Sequence, residues 1–152
     1  MATETEQRDA VIAEARTWLN TPHHNGARIK GVGVDCGQFP LAVYEACGLI
    51  PPTETGTYSP QFHLNKDREW YLELCQKLGK ELPEGKKPRR GDFAIFKVGR
   101  VFSHGAIIIT WPNNIIHSFA GVGVTLGHAD KGWFTHNKDG SPRPVKFFTL
   151  WE

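Results

Sequence analysis

One cysteine and two histidines are the side chains of this sequence whose types and spacing suit nucleophilic chemistry. Cys36 lies in the stretch GVGVDCGQFP, between a polar loop and the start of a pattern typical of an amphipathic helix. His104 lies in VFSHGAIII and His117 in NNIIHSF, each beside an apolar run. The thiolate is the nucleophilic form of cysteine, and a helix N-terminus or a nearby imidazole favours its formation. These residues fit a cysteine nucleophile with a histidine base, whose tautomer a third polar group fixes.

The same side chains also have structural interpretations. A single cysteine at a helix start, or a single histidine on a strand, more often belongs to a core than to an active site. Cys36, His104 and His117 could also be metal ligands, although their spacing gives no specific support for a metal site. Cys47 and Cys75 lie within helical patterns, and we expect both to be small buried residues.

The composition indicates an ordinary globular protein. The chain has 152 residues, of which 39% are hydrophobic and 22% charged, with a net charge of +2, and this predicts a single domain over 1–152. The small charge and one basic run over 86–90 give little support for nucleic-acid binding, and no segment is apolar enough to span a membrane. Three cysteines without a CxxC pair suit free thiols in a reducing compartment, and the N-terminus lacks an apolar signal core.

The elements that must position these side chains follow from the hydrophobic periodicity. Helical spacing predicts helices over three stretches: 7–19, from near Cys36 to Gly48, and 66–79. Short β-branched and aromatic runs then predict four strands, over 93–96, 105–110, 114–119 and 145–150. Helices followed by a meander of strands predict an α+β fold with an antiparallel sheet. A hairpin turn at WPNN, residues 111–114, would bring His117 beside His104 across the ladder.

Five motifs resemble, in order, those of the NlpC/P60 family of papain-like cysteine peptidases. They are NTPH at 20–23, GVDCG at 33–37, GDFAIF at 91–96, SHGAI at 103–107 and IHS at 116–118. The resemblance covers about residues 8 to 120 of the chain, and the combination is far more specific than any single motif. It implies N-terminal helices packed on a C-terminal antiparallel sheet, with the cysteine at a helix N-terminus.

The resemblance also implies an activity. Cys36 would be the nucleophile, His104 the general base and His117 the residue that orients it. The reaction would be hydrolysis of amide bonds in peptidoglycan stem peptides, commonly the bond after γ-D-glutamate, through a thioester. Neither a metal nor an organic cofactor would be needed.

Within the family, the sequence is most similar to the subgroup associated with phage tails. The segments HNGARIKGVGVDC and GVGVTL resemble those compact proteins, as does the absence of a signal peptide. This implies synthesis in the bacterial cytoplasm, assembly with phage tail-tip proteins and action on the cell wall. Two other functions stay open: a non-catalytic component of the tail tip, and a wall-targeting amidase toxin or acyltransferase with the same fold.

The sequence departs from the family pattern around the thiol. His23 follows Thr-Pro where the family usually has a tyrosine that assists the oxyanion site, and its ring N–H could replace that hydroxyl or simply belong to a loop. Gln38 and Pro40 replace small or apolar residues, and Gln38 could donate into the cleft or cap the turn. We expect Asp35 to cap the helix or bind loop N–H groups, and Asp92 to be a structural turn residue. Three aromatic residues are candidates for a substrate groove or for the core: Trp111, Phe119 and Trp133.

Overall fold

The N-terminal part of the chain supplies the helices. The computed structural model describes residues 1–59, 69–132 and 135–151. Its helices are α1 (Glu4–Thr17), α2 (Gln38–Ala46) and α3 (Trp70–Leu78). Helix α1 begins three residues earlier than predicted, because Thr3 and Glu6 form a reciprocal capping box that satisfies two of its first N–H groups. The start of the predicted third helix, 66–68, lies outside the described residues.

The strands form one small hairpin and one large sheet. The hairpin pairs β1 (Arg28–Ile29) with β2 (Gly33–Val34) just before the Cys36 turn. The other six strands are β3 (Lys80–Glu81), β4 (Phe93–Val98), β5 (Val101–Thr110), β6 (Asn114–Phe119), β7 (Gly123–Gly127) and β8 (Val145–Thr149). They pair in the order β3-β8-β4-β5-β6-β7, and every neighbouring pair is antiparallel.

Each face of the large sheet packs on its own apolar cluster. Residues that alternate along the strands point to opposite faces, and Ile95, Ile107 and Phe148 pack against the helices. The opposite face carries a smaller cluster of buried residues: Ala94, Phe96, Ala106, Ile108, Ile115 and Ala129. His104 lies two residues from Ala106 along β5, and His117 lies two residues from Ile115 along β6, so each histidine points to the same face as that residue. Both histidines therefore stand on the face of the smaller cluster, away from the helices.

The predicted α+β architecture with an antiparallel sheet is confirmed. The turn at WPNN joins β5 and β6 as expected, with a cis peptide bond before Pro112. Strand β5 begins at Val101, so His104 lies within the strand and does not open it as the periodicity suggested. Strand β7 was missed because it has only five residues and a glycine at each end. No helix in the described part of the chain combines the length and apolar character needed to cross a bilayer.

Candidate active site

The turn that carries Cys36 is built around the side chain of Asp35. Asp35 Oδ1 accepts hydrogen bonds from the N–H groups of Gly37 (3.0 Å) and Gln38 (2.7 Å), and its carbonyl accepts from Phe39 N–H at 3.0 Å. Asp35 thus binds the N–H groups at the start of α2, as predicted, and Cys36 lies two residues before Gln38, the first residue of that helix. Its Oδ2 accepts from Gly26 N–H at 2.7 Å, which ties the preceding loop to the same turn.

The Cys36 sulfur occupies a position where the pairing of β5 with β6 ends. The N–H and C=O groups of Ile108 bond to Asp92 and Gly91, on the β4 side of β5. Because these groups point to alternate sides along a strand, those of Gly105 and Ile107 point to the β6 side. The ladder with β6 stops at the pair of Ile107 and Ile116. Beyond it the Cys36 thiol donates to the Ser103 carbonyl at 3.4 Å, and Gly105 N–H donates to the sulfur.

A β-bulge in β5 lies directly beside this contact. His104 pairs with Phe96 and Phe102 pairs with Lys97, which leaves Ser103 as the extra residue of the bulge. Bulges of this kind re-aim neighbouring side chains, and here one lies directly before His104. Nothing in the sequence indicates this bulge.

The structure brings His104 and His117 into direct contact. Ile107 pairs with Ile116, so His117 stands opposite Ala106 and reaches His104 along the diagonal of the ladder. His104 Nε2 lies 2.8 Å from His117 Nδ1, and the two rings meet edge to face at a centroid distance of 5.0 Å. A hydrogen bond between these two nitrogens fixes the orientation of the His104 ring and directs its Nδ1 away from His117.

The thiol of Cys36 is held in its neutral form. Burial and the negative charge of Asp35 raise the pKa of Cys36 to about 12, although hydrogen bonds from the N–H groups of Gly105, Cys36 and Gly37 oppose that rise. We expected a helix start to favour the thiolate. It does not do so here, because burial and the charge of Asp35 together outweigh the N–H groups that reach the sulfur.

The two paired histidines are also held neutral. Burial lowers the pKa of His117 to about 4. Burial, followed by the charges of His117 and His23, holds the pKa of His104 well below its usual range. His104 is thus a neutral imidazole able to accept a proton, on the strand whose backbone contacts the Cys36 thiol.

His23 belongs to the same site, whereas Gln38 does not face a cleft. His23 is half-buried, its pKa is lowered chiefly by burial, and its charge would act on both Asp35 and His104. Gln38 is only 2% exposed. Its Oε1 accepts from Arg28 Nε at 2.9 Å, and its Nε2 donates to Thr55 Oγ1 at 2.8 Å. This corrects the interpretation of Gln38 as a donor to substrate, because its amide groups are already bonded inside the protein.

Two tyrosines that the sequence did not single out surround the Cys36 turn. The Tyr58 hydroxyl donates a short hydrogen bond to Asp35 Oδ2 and accepts one from Gln38 Nε2 at 3.1 Å. The Tyr71 hydroxyl, in α3, donates to the Gly37 carbonyl at 2.9 Å. Neither tyrosine lies in a motif of the family, so only the fold could reveal them.

The remaining sequence candidates are one carboxylate, Asp92, and three aromatic residues, of which Phe119 lies beside His117. Asp92 is 1% exposed and binds Arg8 Nη1 at 3.0 Å and Arg89 N–H at 2.7 Å, which confirms its structural role. Trp111 packs on the smaller apolar cluster, and Phe119 lies beside His117 with ring centroids 5.9 Å apart. Trp133 lies outside the described residues. Within the described ranges, no three histidine, cysteine, aspartate or glutamate side chains are grouped closely enough to hold a metal ion.

Solved structures with the same fold place this architecture among known domains. The chain is 20% identical to the NlpC/p60 domain of the peptidoglycan hydrolase SagA, with a TM-score of 0.59 over 91% of this chain and 96% of that one. It is 20% identical to an NlpC/P60 family protein from Bacillus cereus ATCC 10987, with a TM-score of 0.61 over 91% of this chain but 39% of the other. It is 17% identical to the P60 domain of M. avium subspecies paratuberculosis antigen MAP1204, with a TM-score of 0.59 over 97% of each chain. The chain therefore has the NlpC/P60 fold.

Sequence comparison alone does not reach these proteins. No family model matches the chain, and no curated protein matches it in sequence. The similarity to these solved structures is thus carried by the arrangement of helices and strands.

Proposed function

We propose that this protein is a member of the NlpC/P60 family that hydrolyses amide bonds in peptidoglycan stem peptides, with the bond after γ-D-glutamate as the expected target. One observation carries the proposal: His104 Nε2 lies 2.8 Å from His117 Nδ1, on the strand whose backbone contacts the Cys36 thiol. A thiol, an imidazole and a group that orients the imidazole are the components of acyl transfer by a cysteine nucleophile. The likeness of the fold to the NlpC/p60 domain of a peptidoglycan hydrolase supports the substrate class.

In the proposed reaction, the thiol is deprotonated as it attacks. His104 Nε2–H donates to His117 Nδ1, so that His104 Nδ1 is the nitrogen that accepts the Cys36 proton. The sulfur adds to the amide carbonyl carbon, and the carbonyl oxygen becomes an oxyanion. His104 then gives its proton to the leaving amine, and a thioester with Cys36 remains. A water molecule, deprotonated by His104, adds to the thioester and releases the acid and the thiol.

The oxyanion would be stabilised by the backbone at the start of α2. The Cys36 N–H, which lies against the sulfur, is the proposed first donor, whereas the N–H groups of Gly37 and Gln38 donate to Asp35. His23 is the proposed second donor, since burial keeps its imidazole neutral and the ring acts on both Asp35 and His104. A neutral imidazole has one N–H group, which can donate one hydrogen bond to the oxyanion.

Hydrolysis of defined muropeptides tests the activity. Purified protein is incubated with stem peptides that contain L-Ala-γ-D-Glu followed by lysine or by diaminopimelate, and the products are identified by mass spectrometry. We expect two fragments that separate after γ-D-glutamate, no cleavage by Cys36→Ala, and full cleavage by the matched variant Cys47→Ala. Intact peptides with the folded wild-type protein, or equal cleavage by Cys36→Ala, would contradict the proposal. Binding without cleavage would favour a non-catalytic part in a tail tip.

We also propose that the protein acts from a phage tail, on the basis of the sequence segments that resemble that subgroup. It would be made in the bacterial cytoplasm, assembled with tail-tip proteins and carried to the wall on the virion. Virions purified after induction of the encoding strain should contain tryptic peptides of this chain. Peptides found in the lysed cells but never in virions would contradict this localisation.

A further inference from the structure

A segment without helix or strand, residues 51–59, is bound across the Cys36 turn by side-chain hydrogen bonds. Arg28 Nη2 donates to the Thr53 carbonyl at 2.7 Å, and Asn25 Nδ2 donates to the Tyr58 carbonyl at 3.1 Å. Gln38 Nε2 reaches Thr55 Oγ1 at 2.8 Å. The donors come from the loop before β1, from β1 itself and from α2, so the segment is joined to the elements on both sides of the thiol in sequence.

The hydroxyl of Tyr58 has a fixed direction within this arrangement. Gln38 Oε1 accepts from Arg28 Nε, which turns the amide nitrogen of Gln38 toward the Tyr58 oxygen at 3.1 Å. Because that oxygen accepts from Gln38, its own proton is directed to Asp35 Oδ2. The Tyr58 ring packs on Trp70 with centroids 4.7 Å apart, and burial raises the pKa of Tyr58, so the hydroxyl stays a donor.

Asp35 is the anionic group that acts on the sulfur. Its carboxylate accepts four hydrogen bonds, from the N–H groups of Gly26, Gly37 and Gln38 and from the Tyr58 hydroxyl. Three titratable groups act on Asp35 or Cys36 from the packed elements: His23 and Tyr58 from loops, and Tyr71 from α3. All three are neutral at pH 7, so among the described residues the charge of Asp35 is offset by the donors that it binds.

We propose that Tyr58 is a positioning residue for the nucleophile, which holds the Asp35 carboxylate toward Gly26 and offsets its charge beside the Cys36 thiol. The proposal rests on the proposed function only in taking Cys36 as the reacting group. Without the hydroxyl, Asp35 Oδ2 keeps a single donor and the carboxylate can rotate about its χ2 toward the sulfur. A less neutralised carboxylate next to the thiol makes the thiolate harder to form.

The test is the pH dependence of alkylation, read at each cysteine. Wild-type protein and Tyr58→Phe are treated with iodoacetamide from pH 6 to pH 11, and the modified peptides are quantified by mass spectrometry. We expect Tyr58→Phe to move the Cys36 profile upward by about half to one pH unit, which is a roughly three- to tenfold slower reaction below the midpoint. Cys47 in the same samples should give the same profile in both proteins.

Two further variants show whether Tyr58 acts through the charge of Asp35 or only through the packing of its own segment. Thr55→Val removes a neighbouring hydroxyl that binds Gln38 but not Asp35, so it should leave the Cys36 profile in place. Asp35→Asn should move the profile downward, and Tyr58→Phe added to Asp35→Asn should cause no further shift. An unchanged profile in folded Tyr58→Phe, or an equal shift in the Asp35→Asn background, would overturn the proposal. Alkylation needs no substrate, so a protein that shows these shifts but cleaves no muropeptide would refute the proposed function and support the part of Tyr58.

Discussion

Gly105 lets the backbone of β5 approach the Cys36 turn, and Gly105→Ala tests how closely the two are fitted. A Cβ added at Gly105 would lie 2.8 Å from Tyr71 Oη, 3.0 Å from the Cys36 carbonyl oxygen and 3.2 Å from Pro40 Cγ. Tyr71 Oη is held by its bond to the Gly37 carbonyl, and the Cys36 oxygen belongs to the backbone. The new methyl group would therefore press on two atoms that have little freedom to move, Tyr71 Oη and the Cys36 carbonyl oxygen.

The size of the effect follows from these distances. Ordinary contacts begin near 3.4 Å, so Tyr71 Oη and the Cys36 backbone must retreat by roughly half an ångström. Overpacking of this kind costs about 1–3 kcal/mol of the free energy of unfolding. Displacement of the nucleophile from Gly105 N–H and the Ser103 carbonyl should lower kcat/KM by roughly ten- to a hundredfold, because attack geometry tolerates little error.

A double-mutant cycle with Tyr71→Phe provides the assay. Tyr71→Phe alone loses the hydrogen bond to the Gly37 carbonyl, at a cost of about 1 kcal/mol. In the double variant, the methyl group of Gly105→Ala meets no hydroxyl, so the combined loss should be smaller than the sum of the two single losses. Urea unfolding measures the stabilities, and muropeptide hydrolysis measures the rates. Wild-type stability and rate in Gly105→Ala, or strictly additive losses in the double variant, would refute this reasoning.

Two further predictions concern buried titratable side chains, His117 and the pair of Arg8 with Asp92. His117 has a pKa of about 4 when folded, so between about pH 6.5 and pH 4 the unfolded chain binds a proton that the folded chain does not. Stability should therefore fall by about 3 kcal/mol as the pH drops through that window; denaturant unfolding of His117→Asn should show a clearly smaller fall, and an equal fall would contradict the assignment. Arg8→Met should cost about 3–5 kcal/mol, because it leaves Asp92 buried without its cation. Arg90→Ala, whose partner Asp9 is exposed, is the matched control and should change stability little.

The chain order of the helices and of the principal strands was predictable from the sequence because each carries a clear periodic signal. Strands β4, β6 and β8 begin at the predicted residues, and the WPNN turn gave the neighbourhood of His104 and His117. The β-bulge at Ser103 was not predictable, because residues 103–108 of β5 are all buried and an extra residue there interrupts no alternation of buried and exposed positions.

The candidate site was predictable where a motif specifies a side chain and not where the fold supplies a partner. Cys36, His104, His117 and Asp35 each lie in a short motif. Tyr58 does not, since it lies 22 positions after Cys36 in a segment without secondary structure. Contacts of that kind depend on how a loop returns to the site, which local sequence does not encode.

The expectation that the helix start would lower the pKa of the Cys36 thiol was wrong, because the pKa is raised. Position at a helix start predicts a favoured thiolate only if the free N–H groups are directed at the sulfur. Here burial, followed by the negative charge of Asp35, raises the pKa of Cys36 although the N–H groups of Gly105, Cys36 and Gly37 reach the sulfur. Asp35 thus fixes the geometry of the turn, and its charge also makes the Cys36 thiol harder to ionise. A neutral thiol must give up its proton during the attack, and the proposed acceptor is the neutral imidazole of His104. The proposed reaction therefore depends on the position of the His104 ring, which His117 fixes.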